Sequence, residues 1–184
     1  MVFALLLLTA GVRATVIVPT EFKEIVADAA LIVRGHITDV RAVEDRDRGV
    51  ETIATISVDT ILKGEPVDFV TMRLPGGVIG RYRYVMVGAP VVTVGQAGVF
   101  FLKRDASLNA WRPVGLGMGI YAVQAEPATG RPVVSPPLVT GQTAAAGVVV
   151  RGDRARRYMS EPEFESLVRV VMAGQTASAQ RGQR

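Results

Sequence analysis

Four alternating stretches decide the fold of this chain. They read Leu31-Ile-Val-Arg-Gly-His-Ile-Thr-Asp-Val40, Ile53-Ala-Thr-Ile-Ser-Val-Asp-Thr-Ile-Leu-Lys-Gly64, Phe69-Val-Thr-Met-Arg-Leu-Pro-Gly-Gly77 and Gly98-Val-Phe-Phe-Leu-Lys-Arg104. Short runs rich in β-branched and aromatic residues, bounded by glycine, proline and charged clusters, are typical of β-strands. The sequence therefore predicts a mainly β protein, a small closed or half-open barrel of five or six strands with a helix near each end.

The chain divides into parts around this barrel. Residues 15–134 form the predicted barrel domain, and Gly119–Gln124 pairs with Arg131–Val134 as a hairpin within it. The proline-, threonine- and alanine-rich residues 135–159 are a predicted linker or surface loop.

Capping signals set the predicted helix ends. Thr20 is the predicted N-cap of the first helix. A C-terminal amphipathic helix is predicted over residues 160–174, because Ser160-Glu-Pro-Glu163 has the capping-box pattern and Gly174 suits a helix end. Residues 175–184 are then a disordered tail.

Residues 1–14 have the features of a signal peptide. The apolar run from Phe3 to Val12 is shorter than the roughly 20 residues that cross a bilayer, and Val12-Arg13-Ala14 offers a cleavage site after Ala14. The alternative is a buried N-terminal strand. We expect an exported protein, periplasmic or secreted, without stable membrane insertion after cleavage. The chain has no cysteine, which excludes disulfides and thiolate sites.

Composition argues against nucleic-acid binding and against metal or cofactor chemistry. The net charge is only +4 and aromatic residues make up 6%, so a basic groove with stacking aromatics is not expected. His36 is the single histidine, and Glu44, Asp45 and Asp47 alternate with arginines in a spacing that does not match a calcium loop. We predict no catalytic set, no metal site and no cofactor.

One glycine-rich stretch is the best candidate for a binding site. Gly76 and Gly77 lie in Gly76-Gly-Val-Ile-Gly80, and Arg73, Arg81 and Arg83 flank them. A glycine-rich loop with guanidinium groups at its rim can receive a carboxylate or a phosphate. The alternative interpretation is a turn or bulge at which two backbones approach closely.

Several segments together resemble a known family. They are Ala27-Asp-Ala-Ala-Leu-Ile-Val-Arg-Gly-His-Ile-Thr-Asp-Val40, Val58-Asp-Thr-Ile-Leu-Lys-Gly64, Leu74-Pro-Gly-Gly77 and Gly95-Gln-Ala-Gly-Val-Phe-Phe-Leu102. This pattern resembles a family of uncharacterised exported bacterial proteins and, more distantly, the OB-fold of netrin-like domains and tissue inhibitors of metalloproteinases. The resemblance covers about residues 20–116 and implies an OB-like barrel. It does not imply zinc chelation by an N-terminal cysteine, because the predicted mature N-terminus is Thr15.

Two function classes follow from these observations. The first is a non-enzymatic exported binding module for a protein or an envelope component. The alternative is a carboxylate-dependent hydrolase of the envelope, in which residues such as Glu21, Glu24 or Asp39 act as acid and base. A cleft with two facing carboxylates would favour the hydrolase, and a flat or loop-rimmed face the binding module.

Overall fold

A computed structural model describes residues 20–47, 49–126, 128–137 and 157–181. The predicted signal peptide, residues 138–156 of the predicted linker and the last three residues of the chain lie outside these ranges. The described part is mainly β, as predicted, with one helix before the strands and one after them. Its elements are α1 (Phe22–Asp28), β1 (Leu31–Asp45), β2 (Gly49–Lys63), β3 (Phe69–Pro75), β4 (Gly77–Ile79), β5 (Tyr82–Tyr84), β6 (Ala97–Asp105), β7 (Ala110–Pro113), a 3₁₀ turn (Leu116–Gly119), β8 (Ile120–Ala125), β9 (Pro132–Ser135), β10 (Met159–Ser160) and α2 (Glu161–Arg181).

The main sheet curls into a ring of five strands. Strand β1 pairs antiparallel with β2 on one side and with β6 on the other. Strand β2 pairs with β3, and β7 pairs with β6, so the ring is completed where β3 meets β7. That seam is parallel and rests on the single residue pair Met72 and Trp111. Strands β8, β9 and β10 extend the sheet from β6.

Two apolar cores lie against this sheet. We call the first the ring core, because strands of the ring supply most of its members; it comprises Leu31, Val33, Ile37, Ala54, Ile56, Val70, Met72, Leu74, Val92, Phe100, Leu102 and Ile120. The second core packs α1 and α2 against β6, β8, β9 and β10. At its centre four aromatic rings meet, with Phe164 of α2 4.9 Å from Tyr121 and 5.6 Å from Phe22 between ring centroids. Aromatic pairs at such distances add to the burial energy.

Two of the three predicted helix boundaries need correction, the start of α1 and the end of α2. The N-cap of α1 is Glu21, not Thr20, and the Glu24 carboxylate accepts a hydrogen bond from the Glu21 N–H at 3.2 Å. At the other end of the chain, the Ser160 hydroxyl accepts from the Glu163 N–H, as the capping box predicts.

The prediction that α2 ends at Gly174 and leaves a disordered tail is wrong for residues 175–181. The helix continues to Arg181, because no proline or second glycine follows within it and Gln175 donates its side-chain amide to the Lys23 carbonyl of α1 at 2.6 Å.

The ends of the predicted linker are strand. Ser135 ends β9 and Met159 begins β10, and the two strands pair through Met159 and Val134. The predicted hairpin is confirmed, since β8 and β9 pair antiparallel, with Ala122 opposite Ser135 and Ala125 opposite Pro132.

Candidate binding site

A small hairpin and the loop after it stand over the junction of β1 and β2. We call residues 76–94 the flap; it contains β4 and β5, which pair only with each other among the described strands. Gly76 begins it with a φ of 87°, and a Cβ at this position would lie 2.7 Å from the Tyr84 carbonyl oxygen. A residue with a side chain cannot take this place without a backbone shift. The alternative interpretation of this stretch, close backbone approach, therefore holds at Gly76 but not at Gly80, where a Cβ would meet nothing within 4 Å.

Hydrogen bonds hold the flap to the sheet at its two ends. At the start, the Gly76 N–H donates to the Val50 carbonyl at 2.8 Å, and the Thr52 hydroxyl donates to the Gly76 carbonyl at 2.7 Å. Just beyond the flap, the Gly95 N–H donates to the Ile37 carbonyl at 2.7 Å. Val92 is buried in the ring core between these points. The flap is thus anchored to the ring at both of its ends.

A pocket of about 280 Å³ lies between the flap and the sheet. Arg83 alone among the described residues that line it carries a charge. A volume of this size lies just below the range of small-molecule sites, which are also mostly apolar with a few placed polar groups. The lining comprises Val40, Ala42, Thr52, Pro75, Gly76, Gly77, Val78, Arg83, Tyr84, Val85, Met86, Ala89, Pro90, Val91 and Val92.

The flap carries many exposed apolar side chains, several of which also line the pocket. Val85 is 77% exposed, Val91 73% and Val87 66%. Scattered exposed apolar residues are ordinary, but a cluster of this size on one element is typical of an interaction surface. The exposed members are Val78, Tyr82, Tyr84, Val85, Met86, Val87, Val91 and Val94.

The charge of the flap is entirely positive. Arg81 donates to the Tyr82 hydroxyl at 2.9 Å and lies 5.1 Å from the centre of its ring, so a tyrosine rather than a carboxylate holds it. The sequence has no Asp or Glu from Phe69 to Arg104. An anionic group that reaches Arg81 or Arg83 therefore meets no nearby repulsion from the flap itself.

Arg73, the fifth residue of the predicted site, lies in a different environment. Its guanidinium is 2.7 Å from a carboxylate oxygen of Glu51 and 3.7 Å from Asp45, and its side chain is mostly buried. The structure therefore separates the predicted residues. Gly76, Gly77 and Arg83 line the pocket, Arg81 lies on the flap beside it, and Arg73 belongs to an ion-pair cluster.

That ion-pair cluster joins all five strands of the ring. Glu51 of β2 is 2% exposed, and Arg112 of β7 lies 2.5 Å from it and 2.9 Å from Asp105 of β6. With Arg73 of β3 and Asp45 of β1, the cluster crosses the seam that only one backbone pair closes. Buried carboxylates are normally accompanied by charged hydrogen-bond partners such as these arginines. Its role is structural, and we call it the seam cluster.

Asp105 illustrates the electrostatics at the edge of the seam cluster. A hydrogen bond from the Ser107 hydroxyl, at 2.6 Å, lowers the pKa of this carboxyl below its usual value, and Arg112 lowers it further. Asp105 is therefore held in its charged form beside the arginine.

The carboxylates of the hydrolase alternative are engaged elsewhere. Glu21 and Glu24 form the capping box of α1, and Asp39 of β1 is more than half exposed with Arg41 as a neighbour at 4.0 Å. His36 lies on β1 with its Nδ1 3.7 Å from Asp59. In the part of the chain that the structure describes, no group of three acidic or histidine side chains could hold a metal ion.

Sequence reasoning missed two features. The first is the exposed apolar run Tyr84-Val-Met-Val87. Its signal in the sequence was an apolar stretch in a loop-rich region, with no predicted strand to bury it. The pairing of Glu51 with Arg112 had no signal, because 61 residues separate the partners.

No family model matches this chain, and no curated protein matches it either. The resemblance to exported bacterial proteins and to netrin-like domains therefore stays a prediction. Within the described ranges, no helix has the length and apolar character to cross a membrane.

Proposed function

We propose that this protein is an exported, non-enzymatic binding module that binds a protein or an envelope component through its flap. The observation that carries this proposal is the apolar pocket beneath the flap, with Arg83 as the only charged side chain among the described residues that line it. Such a site can bury an apolar group while a guanidinium pairs with an adjacent anion.

Anchoring and exposure support the flap as the binding face. Gly76 and Thr52 fix its base to β2. A segment whose base is already held loses less conformational entropy on binding than a free one. The exposed apolar side chains of the flap then gain free energy by leaving water.

The OB-like assignment and the export of the chain belong to this proposal. A five-stranded, partly open ring is the form that OB-folds take, and such barrels bind ligands through their faces and loops. The apolar run ahead of Ala14 supports export.

Retention of envelope components on the immobilised protein tests the proposal. Detergent-solubilised bacterial envelope extract is applied to wild-type protein, washed at low and high salt, and the retained proteins and lipids are identified by mass spectrometry. We expect a component that stays through high salt on the wild type and is lost from the double variant Arg81→Glu/Arg83→Glu.

Arg131→Glu is the matched control, because Arg131 is exposed and precedes β9, which lies outside the five-stranded ring. This variant should retain the same component as the wild type. Equal retention by the wild type and the flap variant would contradict the proposal, as would the absence of any retained component.

A further inference from the structure

The exposed apolar surface of the flap extends beyond the pocket. Val87 and Val94 are 66% and 62% exposed, and neither lines the pocket. A small ligand in the pocket would leave these side chains in water. A partner that covers all of them must present a continuous apolar layer.

The order of side-chain types on the flap also has a physical meaning. Aliphatic residues lie at Val85, Met86 and Val87, with Tyr82 and Tyr84 immediately before them and Arg81 and Arg83 interleaved. At a membrane surface, aliphatic groups enter the edge of the acyl chains, tyrosines lie among the headgroups, and arginines contact lipid phosphates.

From these observations we propose that the flap docks onto the surface of an anionic lipid bilayer. This inference rests on the proposed function and names the envelope component as the lipid surface itself. The charge supports it, because the flap carries two exposed arginines in a stretch of 36 residues, Phe69–Arg104, that contains no carboxylate. An anionic bilayer attracts such a surface and a neutral one does not.

The dimensions of the flap limit how deeply it can enter a bilayer. Strands β4 and β5 have three residues each, and a strand rises about 3.3 Å per residue, so the hairpin reaches about 10 Å. The hydrocarbon core of a bilayer is about 30 Å thick. The flap therefore binds at the interface and does not span the membrane.

The aliphatic character of the exposed side chains favours lipid over a protein partner. Val85, Val87 and Val91 are aliphatic side chains that offer no hydrogen bonds and are largely exposed on a loop. Fluid acyl chains accept such side chains without a matched set of pockets, whereas a protein interface requires a complementary surface for each one.

Vesicle co-sedimentation tests the inference. Wild-type protein is mixed with vesicles of equal parts phosphatidylglycerol and phosphatidylcholine, and separately with pure phosphatidylcholine, at 50 mM salt. All proteins carry the same N-terminus, so differences between them come from the substitutions. We expect the wild type to bind the anionic vesicles at least tenfold more tightly than the neutral ones.

Two flap variants separate charge from apolar contact. Arg81→Gln/Arg83→Gln should bind the anionic vesicles about 25-fold more weakly, since each basic residue near an anionic surface contributes about fivefold. Val85→Ser/Val87→Ser should bind the anionic vesicles at least tenfold more weakly than the wild type. The control Val170→Ser, an equally exposed valine on α2, should bind as the wild type does.

Folding is checked by circular dichroism and thermal unfolding, which should not change because all these side chains are exposed. Wild-type protein that binds neither vesicle, or both equally, overturns the inference, and so do flap variants that bind like the wild type. If vesicles are not bound while a protein from the envelope extract is retained in a flap-dependent manner, the lipid inference fails and the proposed function stands. If neither binds, both fail.

Discussion

Two sets of arginines near the same glycine turn have opposite environments in this protein. Arg73 and Arg112 lie on either side of the buried Glu51, with Asp45 and Asp105 at the edges. Arg81 and Arg83 lie on the exposed flap, where Arg81 contacts the side chain of Tyr82. The first set closes the seam of the ring, and the second is available to an external anion.

The difference shows what decides the role of an arginine. Arg73 and Arg83 are ten residues apart and flank the same glycines, so the sequence grouped them as one site. The fold instead aligns Arg73 on β3 beside Glu51 of β2, while β4 and β5 carry Arg83 onto the flap, where it lines the pocket. Location relative to carboxylates, not distance along the chain, separates an arginine held in an ion-pair cluster from one that stays exposed.

Removal of the central carboxylate should have the largest effect. Glu51→Gln leaves two largely buried guanidiniums without their shared anion, and the loss of one partner from such a cluster costs about 3 kcal/mol. The midpoint of thermal unfolding should fall by about 6–12 °C. The exposed Glu65→Gln serves as control and should change it by no more than about 2 °C. A Glu51→Gln variant as stable as the wild type would show that the seam cluster does not hold the ring together.

The next largest effect is the difference in stability between variants of the two arginines that flank the glycines. Arg73→Met leaves Glu51 with one guanidinium instead of two and should lower the free energy of unfolding by about 1–3 kcal/mol. Arg83→Met removes an exposed side chain and should change it by less than about 0.5 kcal/mol. Urea unfolding measures both. Equal losses in the two variants would remove the distinction between the sets.

Two glycines of the flap provide a smaller comparison. Gly76→Ala meets both a positive φ and the Tyr84 carbonyl, whereas Gly80→Ala, at a φ of 58°, meets only open space. We expect a loss of about 2 kcal/mol for the first and about 1 kcal/mol for the second in urea unfolding. If Gly80→Ala is the more destabilising, close backbone approach does not fix the base of the flap.

The smallest effect concerns acid pH. The folded-state pKa of Asp105 is lowered, first by the hydrogen bond from Ser107, so its stabilising contribution is present above the ordinary carboxyl pKa and is lost as pH falls through the folded value. Asp105→Asn should therefore be less stable than wild type at pH 7, and the difference should shrink below about pH 3.8. Thermal unfolding from pH 7 to pH 3 measures it. A difference that grows on acidification would contradict this assignment.

The sequence predicted the parts of this molecule that depend on local pattern. Alternation in Leu31–Val40 and Phe69–Leu74 identified strands, and Ser160 identified the start of α2. Gly174 misled, because a glycine ends a helix only when the following residues cannot continue it, and here Gln175 bonds back to α1.

The sequence anticipated part of the residue grouping at the candidate site, for a related reason. Gly76, Gly77 and Arg83 line one pocket because a local glycine turn brings them together. The environment of Arg73 depends on Glu51 and Arg112, which are distant in sequence and meet only through sheet register. No local pattern contains that information.

Hydrogen–deuterium exchange in the presence of vesicles tests the central claim most directly, because it locates the covered surface. We compare amide exchange with and without vesicles of phosphatidylglycerol and phosphatidylcholine. The account predicts slower exchange in peptides that cover residues 76–94 and unchanged exchange in peptides of α2 and of the seam cluster. Protection that appears on α2, or that leaves residues 76–94 unchanged while the protein is bound, would contradict it.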